Sequence, residues 1–306
     1  MPAKLSIHVP DQPVMVRLLA EPACLCLGRA ADCDLVIEHG SVSRRHAELR
    51  VGADGSCRIV DLDSKNGLRV DGERRREALL ERAVWFALGD VFCEFQPLPE
   101  HAAEALRQQD RLRRDSSIAL TAALSGQTNP DRLLHEVLEA MLQLAECRRG
   151  FLLAAGSDGA LTVRHRHAID PQEIASSAFG GSRGAVERTL RERRPVYLSA
   201  HRDAVFLKQQ ASVVGQGIRS LACLPLAHQG LLLGVVYLDT DETAKVFSEL
   251  DAELLEAFAA RAATLLAALA VETELRQLEA ILVGESEHGD VARRIRDAAL
   301  GEALSP

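Results

Sequence analysis

The 306-residue chain is predicted to be multidomain, with an all-β sandwich at its N-terminus and an α+β domain after it. Three observations predict this. Residues 1–97 hold many short alternating or β-branched runs, separated by turn signals such as Asn66-Gly67. Residues 98–117 are polar, charged and rich in helix formers, which predicts a linker helix. From 118 to 270, helical stripes alternate with strand-like runs, which predicts a sheet with helices against it.

The strands of the first domain are predicted from the alternating or β-branched runs that lie between turn signals. Gly, Asn and Asp cluster where each run ends, because these residues tolerate the backbone angles of tight turns. Many short strands at this spacing favour a sandwich. The predicted strands are Leu5–Val9, Val14–Leu19, Cys24–Leu27, Leu35–Ile37, Ala47–Val51, Cys57–Val60, Leu68–Val70 and Val91–Phe95.

The second domain is predicted to begin and end with helices. Pro130-Asp131 opens a helix with an apolar stripe at helical spacing. A shorter helix is expected near 183–193. Ser248 and Asp251 fit a capping box that opens a long helix, and a helical tail is expected over 271–306. The strands between these helices are predicted at Gly150–Ala155, Leu161–His167, Pro195–Leu198, Ser220–Leu226 and Leu231–Leu238.

The last helix also carries a candidate dimer seam. Ala268, Val271, Leu275, Leu278 and Leu282 recur at alternating spacings of three and four. Such a heptad stripe suits a parallel homodimer, and packing on the helix's own domain is the alternative interpretation.

Composition narrows the class of partner. Hydrophobic residues make up 47% and charged residues 26%, which is a globular composition. The net charge of −8 argues against direct nucleic-acid binding, since a phosphate backbone repels an acidic chain. No run of eighteen apolar residues is present, and Met1 leads straight into a strand pattern, so we expect a cytoplasmic protein with no membrane partner. The seven cysteines have no metal-type spacing and are expected to be reduced core residues.

The strongest functional signal comes from three separated motifs in the first domain. Leu27-Gly28-Arg29 ends one strand, Ser41-Val42-Ser43-Arg44-Arg45-His46 follows, and Asp61-Leu62-Asp63-Ser64-Lys65-Asn66-Gly67 comes next. A phosphate dianion needs charged donors and a hydroxyl at fixed positions. The planar fork of Arg29 and the hydroxyl of Ser43, in a turn, meet that need.

These motifs resemble the forkhead-associated (FHA) domain over essentially all of residues 5–97. The resemblance implies a β-sandwich that binds a phosphothreonine peptide with loops at one end. It implies that Arg29 and Ser43 hold the phosphate, that Arg44 and Lys65 assist, and that Asn66 bonds the peptide backbone. It also implies structural roles for Gly28, His46 and Gly67. Leu68 departs from the family pattern, in which a threonine commonly follows Asn-Gly.

Residues 118–270 resemble a GAF domain. The segments that carry the resemblance are Arg148–Leu153, Pro195–Tyr197, Gly217–Leu226, Gly234–Asp239 and Phe247–Asp251. GAF domains hold small molecules or haem, or serve as dimerising sensors. The residue set of cyclic-nucleotide binding and a chromophore cysteine are both missing, so no cofactor is predicted and the ligand stays unknown.

His165 and His167 raise the question of a metal site. They lie two apart on a predicted strand and therefore share a face. No third ligand is apparent, and interleaved Arg164 and Arg166 favour a polar hairpin, so no metal is predicted.

The tail beginning Ile281-Leu282-Val283-Gly284-Glu285-Ser286 is similar to the segment that opens the AAA+ domain of bacterial enhancer-binding transcription activators. The chain contains no Walker motif and no other catalytic signature, so we expect no enzyme activity.

The sequence thus predicts a non-enzymatic signalling adaptor. Its FHA module is expected to bind a protein phosphorylated on threonine, such as a Ser/Thr kinase or its substrate, and its GAF module to sense a ligand or dimerise. Two alternatives stay open. One is a transcription regulator that lacks the ATPase, and the other is a small-molecule sensor whose FHA module is a scaffold.

Overall fold

The computed structural model describes residues 2–19, 22–52, 56–123, 129–156, 160–170, 183–199, 218–242 and 245–302. Over these residues the predicted fold class is confirmed: a β-rich N-terminal region precedes a domain with an antiparallel sheet and helices.

Two sheets form the N-terminal sandwich. The first is antiparallel throughout, and the second contains one parallel pair, β3 (Ala23–Gly28) with β4 (Leu35–Val36). Strand labels follow chain order. In spatial order, the first sheet is β2 (Met15–Leu19), β1 (Ala3–His8), β11 (Val91–Pro97), β10 (Val84–Leu88), β7 (Leu68–Val70) and β8 (Glu73–Arg75); the second is β4 (Leu35–Val36), β3 (Ala23–Gly28), β5 (Ala47–Val51), β6 (Cys57–Asp61) and β9 (Glu77–Leu79).

The sandwich core consists of the inward residues of both sheets. Leu5, Ile7, Leu27, Leu49 and Ile59 are fully buried there. Each such aliphatic side chain contributes about 1.5–3 kcal/mol by leaving water. This rigid body carries the loops between strands at its end.

The cysteines are only partly the core residues that the sequence predicts. All seven are free. Cys24 is exposed and Cys147 is half-buried, while the other five are buried. Cys24 is exposed because alternate residues of β3 face opposite sides, and Leu25 and Leu27 take the side that faces the core.

The second domain is a five-stranded antiparallel sheet covered on both faces. Helices α2 (Pro130–Ala145) and α4 (Glu249–Glu302) pack on one face, and α3 (Arg183–Glu192) packs on the other. Double coverage explains why most of its strands read as continuous apolar runs rather than alternating ones; the polar edge strand Leu161–His167 is the exception. In spatial order the strands are β13 (Leu161–His167), β12 (Arg149–Ala155), β16 (Leu231–Thr240), β15 (Ser220–His228) and β14 (Val196–Ser199); the helices are α1 (Glu100–Ala123), α2 (Pro130–Ala145), α3 (Arg183–Glu192) and α4 (Glu249–Glu302).

Helix α1 connects the two domains. It spans Glu100–Ala123, so it starts two residues after the start of the predicted linker and runs past the predicted domain boundary at 118. The guanidinium of Arg113 contacts both the Leu144 carbonyl, at 2.7 Å, and the carboxylate of Asp251. The linker is therefore packed against α2 and α4.

Helix α4 includes one stretch, Glu249–Leu275, that is long and apolar enough to cross a membrane by length and composition. Its apolar side chains at Leu254, Leu255, Phe258 and Leu266 are buried against the sheet. That packing accounts for the apolar composition of the stretch.

The turn between β1 and β2 contacts the start of α4. The Val14 N–H donates to the Phe247 carbonyl at 2.8 Å, and the Glu249 N–H donates to the Val14 carbonyl at 3.1 Å. Arg17 pairs with Glu249 at 2.5 Å. Main-chain bonds and an ion pair thus join the sandwich to the second domain.

Candidate functional site

The three sequence motifs converge through backbone hydrogen bonds. The Arg29 N–H donates to the Ser43 carbonyl at 2.9 Å, and the Ala30 N–H donates to the Arg44 carbonyl at 2.9 Å. The Leu62 N–H donates to the His46 carbonyl at 2.9 Å. The end of β3, the turn before β5 and the loop after β6 are thus joined side by side.

Gly28 is required by this convergence. A Cβ on Gly28 would lie 2.2 Å from the Arg44 carbonyl oxygen, which is far inside any van der Waals contact. The obstacle is backbone that is itself held by Ala30 N–H, so it cannot rotate away. Glycine is therefore the residue that lets the two segments approach.

Arg29 presents an anchored cation. Its Nε donates to the Val42 carbonyl at 3.3 Å, while the residue as a whole is exposed. This bond uses one of the five guanidinium N–H groups. The others are available to an anion.

The Ser43 hydroxyl is oriented by its neighbour. The Lys65 N–H donates to Ser43 Oγ at 3.0 Å, so the oxygen acts as an acceptor there. A hydroxyl also carries one proton of its own, which is left to donate. Ser43 is half-buried, which fixes the position of that donor at the surface.

His46 lies beneath the loops and is fully buried. Its Nδ1 accepts from the Ser43 N–H at 3.1 Å, and its Nε2 lies 3.2 Å from the Gly67 carbonyl oxygen. Because a carbonyl only accepts, Nε2 carries the proton. Burial lowers the pKa of His46 below its ordinary value, so the ring is neutral.

Asn66 and Gly67 complete the loop after β6. Asn66 is exposed, and its Nδ2 donates to the Ser41 carbonyl at 2.7 Å. Gly67 has φ of +75°, a left-handed conformation that glycine adopts without strain. Leu68, the departure from the family pattern, is fully buried in the sandwich core and so does not face the loops.

The structure thus brings Arg29, Ser43, Arg44, Lys65 and Asn66 together on one surface, here called the loop site. Arg44 and Lys65 are exposed, like Arg29. Over the residues that the structure describes, no carboxylate lies within ion-pair distance of Arg29, Arg44 or Lys65. Three unpaired cations around a hydroxyl donor suit a phosphate dianion.

Three supporting residues were missed by sequence reasoning. Ser41 Oγ accepts from Asp90 N–H at 2.9 Å and contacts His39 Nδ1 at 2.8 Å. Ser64 Oγ donates to Asp61 Oδ1 at 2.5 Å and accepts from Gly67 N–H at 2.9 Å. Ser41 and Ser64 both lie within the motifs that resemble the FHA domain, and that position is the sequence feature that could have identified them as part of the site.

Cys33 is the third supporting residue, and no motif contained it. Its thiol donates to the Arg44 carbonyl at 3.1 Å and lies 3.3 Å from the Cys26 sulfur. Burial and the Cys26 thiol raise the pKa of Cys33 to about 11, so it stays protonated and keeps donating. The Arg44 carbonyl is therefore held by two donors.

The two histidines of β13 lie on one face, as predicted, and that face packs against α2. His165 Nε2 lies 3.5 Å from Asp131 Oδ1, and His167 Nδ1 lies 2.8 Å from Glu139 Oε1. The strand is otherwise exposed, as a polar hairpin requires: every residue of β13 except His165 is exposed, and His165 is largely covered by α2. Among the described residues, no group of three or more potential ligands is placed to hold a metal ion.

Comparison with known proteins identifies two families. A family model described as "FHA domain" matches residues 25–92, and one described as "GAF domain" matches residues 129–266. Neither match includes the tail that is similar to AAA+ proteins, so that similarity stays an expectation.

Similar proteins match a limited part of the chain. An "Oxoglutarate dehydrogenase inhibitor" of Corynebacterium diphtheriae is 39% identical over 81 residues, which are 26% of this chain and 56% of that protein. A protein of the same name from Corynebacterium efficiens is 35% identical over 73 residues, which are 24% of this chain and 51% of that protein. The chain thus spans about half the length of the curated relatives it matches.

A solved structure extends the comparison. The FHA domain of the CT664 protein from Chlamydia trachomatis is 26% identical, with a TM-score of 0.31, and covers 32% of this chain and 100% of that one. The two family matches, in this order and over the sandwich and the covered sheet respectively, show that this chain carries an FHA domain followed by a GAF domain.

Proposed function

We propose that this protein is a cytoplasmic, non-enzymatic signalling adaptor that binds phosphothreonine-containing proteins through its FHA domain. Arg29 and Ser43 hold the phosphate, Arg44 and Lys65 assist, and Asn66 bonds the peptide backbone. The partner is a Ser/Thr kinase or a substrate of one. The FHA module comprises residues 1–97.

One observation carries the proposal. The N–H of Arg29 is bonded to the carbonyl of Ser43 at 2.9 Å, so the strongest anion donor and the strongest hydroxyl donor of the loop site are fixed to each other. A bidentate cation beside an oriented hydroxyl matches the geometry of a phosphate monoester.

Fluorescence anisotropy with labelled peptides tests the proposal. The full chain is titrated against a degenerate phosphothreonine library, with phosphoserine and unphosphorylated libraries as controls. We expect binding that requires phosphothreonine. Arg29→Ala and Ser43→Ala should each weaken it about 10- to 100-fold, because a hydrogen bond to a charged group is worth about 1.5–3 kcal/mol.

A matched control separates the site from general charge. Arg50 is an exposed arginine on β5 that is paired with Glu48 at 2.5 Å. Arg50→Ala should leave the affinity within about twofold, since an exposed ion pair contributes about 0.2–1 kcal/mol to stability and nothing to this site. Two results would contradict the proposal and leave the FHA domain as a scaffold. One is equal affinity for phosphorylated and unphosphorylated peptides, and the other is an equal loss of affinity in all three variants.

The GAF domain is proposed to dimerise the adaptor or to sense a small ligand. Exposed apolar residues on α1, which packs against α2 and α4, and on α4 itself support dimerisation, because large apolar side chains left in water on a helix can pack against a second helix. They are Leu112 and Ile118 of α1 and Val271 and Leu275 of α4.

A further inference from the structure

Two arginines face each other across the hairpin that follows the loop site. Arg69 of β7 and Arg74 of β8 are directly opposite in the antiparallel register. Directly opposite residues leave the same face of the ribbon, and both arginines are exposed. Like charges directly opposite each other destabilise a strand pair, so this register is electrostatically unfavourable.

Neither arginine is neutralised by the protein. Over the residues that the structure describes, no carboxylate pairs with Arg69 or Arg74. Other arginines near this hairpin do form ion pairs, so the lack of a carboxylate partner for Arg69 and Arg74 is not due to a shortage of acidic residues nearby. The neighbouring pairs are Arg75–Glu73 at 2.5 Å, Arg58–Glu77 at 3.3 Å and Arg82–Asp71 at 3.2 Å.

Arg74 is continuous with the loop site. Its Nε lies 2.6 Å from the position that a Cβ on Gly67 would occupy, so the guanidinium covers the open face of that glycine. Gly67 directly follows Lys65 and Asn66. Arg74 therefore borders the residue next to Asn66, the residue proposed to bind the peptide backbone.

We propose that Arg69 and Arg74 form an acidic-side-chain subsite, so that the FHA domain prefers phosphothreonine peptides with Asp or Glu beside the phosphothreonine. The inference rests on the proposed function and adds the class of peptide. A bound carboxylate relieves the repulsion between the two cations and accepts hydrogen bonds from both.

The test compares peptides that share one phosphothreonine core. One peptide has alanine on both sides, one has aspartates on the N-terminal side and one has aspartates on the C-terminal side. Anisotropy with the full chain should show at least one aspartate peptide binding about fivefold tighter than the alanine peptide at low salt. The preference should fade as salt screens the exposed charges.

Variants assign the preference to the two arginines. The double variant Arg69→Gln/Arg74→Gln should bind all three phosphothreonine peptides equally. Arg75→Gln is the matched control, because Arg75 is the next residue of β8, points to the opposite face and is already paired. It should keep the preference.

The outcomes separate this inference from the proposed function. Wild-type protein that binds the three phosphothreonine peptides equally would overturn the inference and leave the proposed function standing. A preference that survives in the double variant, or that is lost equally in Arg75→Gln, would overturn it too. If the wild type binds no phosphothreonine peptide, the proposed function fails and the inference fails with it.

Discussion

The two ring nitrogens of His46 hold two different loops. Nδ1 accepts from the Ser43 N–H, and Nε2 bonds the Gly67 carbonyl, so only the neutral ring satisfies both. A second proton would set an Nδ1–H group against the Ser43 N–H. Burial lowers the pKa of His46 from 6.5, in agreement with this requirement.

Acidification should therefore destabilise the wild type more than His46→Gln. The unfolded chain takes up a proton on His46 below about pH 6.5, whereas the folded chain takes it up only at a lower pH. This contribution to stability is fully present above about pH 6.5 and is lost as the pH falls through the folded-state pKa. Each unit between the two pKa values is worth about 1.4 kcal/mol.

Urea unfolding at about pH 7.5 and about pH 5.5 measures the effect. The chain has one tryptophan, Trp85 in β10, so its fluorescence reports on the FHA domain. His165, whose pKa burial also lowers, is present in both proteins and cancels in the comparison. The same loss of stability on acidification in both proteins would show that His46 is not the responsible group.

At the level of single residues, the sequence predicted the members of the loop site better than their supports. Arg29, Ser43 and Asn66 lie in contiguous motifs and are found together. Ser41 and Cys33 support the site by bonding backbone groups, the Asp90 N–H and the Arg44 carbonyl. Those groups meet only in the folded sandwich, so the place of Ser41 in a motif did not indicate its partner, and Cys33 lies in no motif.

At the level of elements, the residues at the start of α4 both cap the helix and take part in the contact between the two domains. The Ser248 N–H donates to Asp251 Oδ2 at 2.7 Å, and the Asp251 N–H donates to Ser248 Oγ at 3.2 Å, so the predicted capping box is formed. The other carboxylate oxygen contacts Arg113 and also Lys245 Nζ, at 3.0 Å. Burial alone would raise the pKa of Asp251, but Lys245 and Arg113 outweigh burial and lower it.

Asp251→Asn should lower the free energy of unfolding of the second domain by about 3 kcal/mol. The substitution removes the buried carboxylate from the largely buried cations of Arg113 and Lys245, of which only Lys245 keeps another partner, Glu146 at 3.9 Å, and a broken buried pair costs about 3–5 kcal/mol. Urea unfolding followed by far-ultraviolet circular dichroism measures it. Glu253→Gln, two residues on and in an exposed pair with Arg114, should cost less than about 1 kcal/mol. Equal costs for the two variants would show that the buried cluster adds no stability.

Three strands that the sequence did not predict, β8, β9 and β10, lack a clear alternation of apolar and polar residues. β8 and β9 are three-residue edge strands, and β8 consists of Glu73-Arg74-Arg75, so it has no apolar alternation to detect. β10 has an apolar interior, with Phe86 and Leu88 buried, but exposed Trp85 and buried Ala87 obscure its period of two. Pairing with β11 and β7 makes it a strand, and that pairing is a tertiary property.

At the level of the whole molecule, docking between the domains leaves part of α4 uncovered. Its first turns are buried against the sheet, whereas Val271 and Leu275 are 56% and 55% exposed. They belong to the stripe that the sequence predicts as a dimer seam; the side chains of Leu278 and Leu282 lie outside the described ones. In a parallel homodimer these residues would pack against their own copies and leave water.

Leu275→Glu is therefore expected to convert a dimer into a monomer. It places two like charges at the centre of the seam, and an uncompensated buried charge costs about 3–5 kcal/mol, which is a hundredfold or more in the dissociation constant. Sedimentation equilibrium of the full chain measures the constant. Thr273→Glu adds the same charge two residues away, off the stripe, and should leave the dimer intact. If the wild type is a monomer at all concentrations, the exposed stripe has no role in self-association. If both variants weaken the dimer equally, the effect is due to the added charge alone.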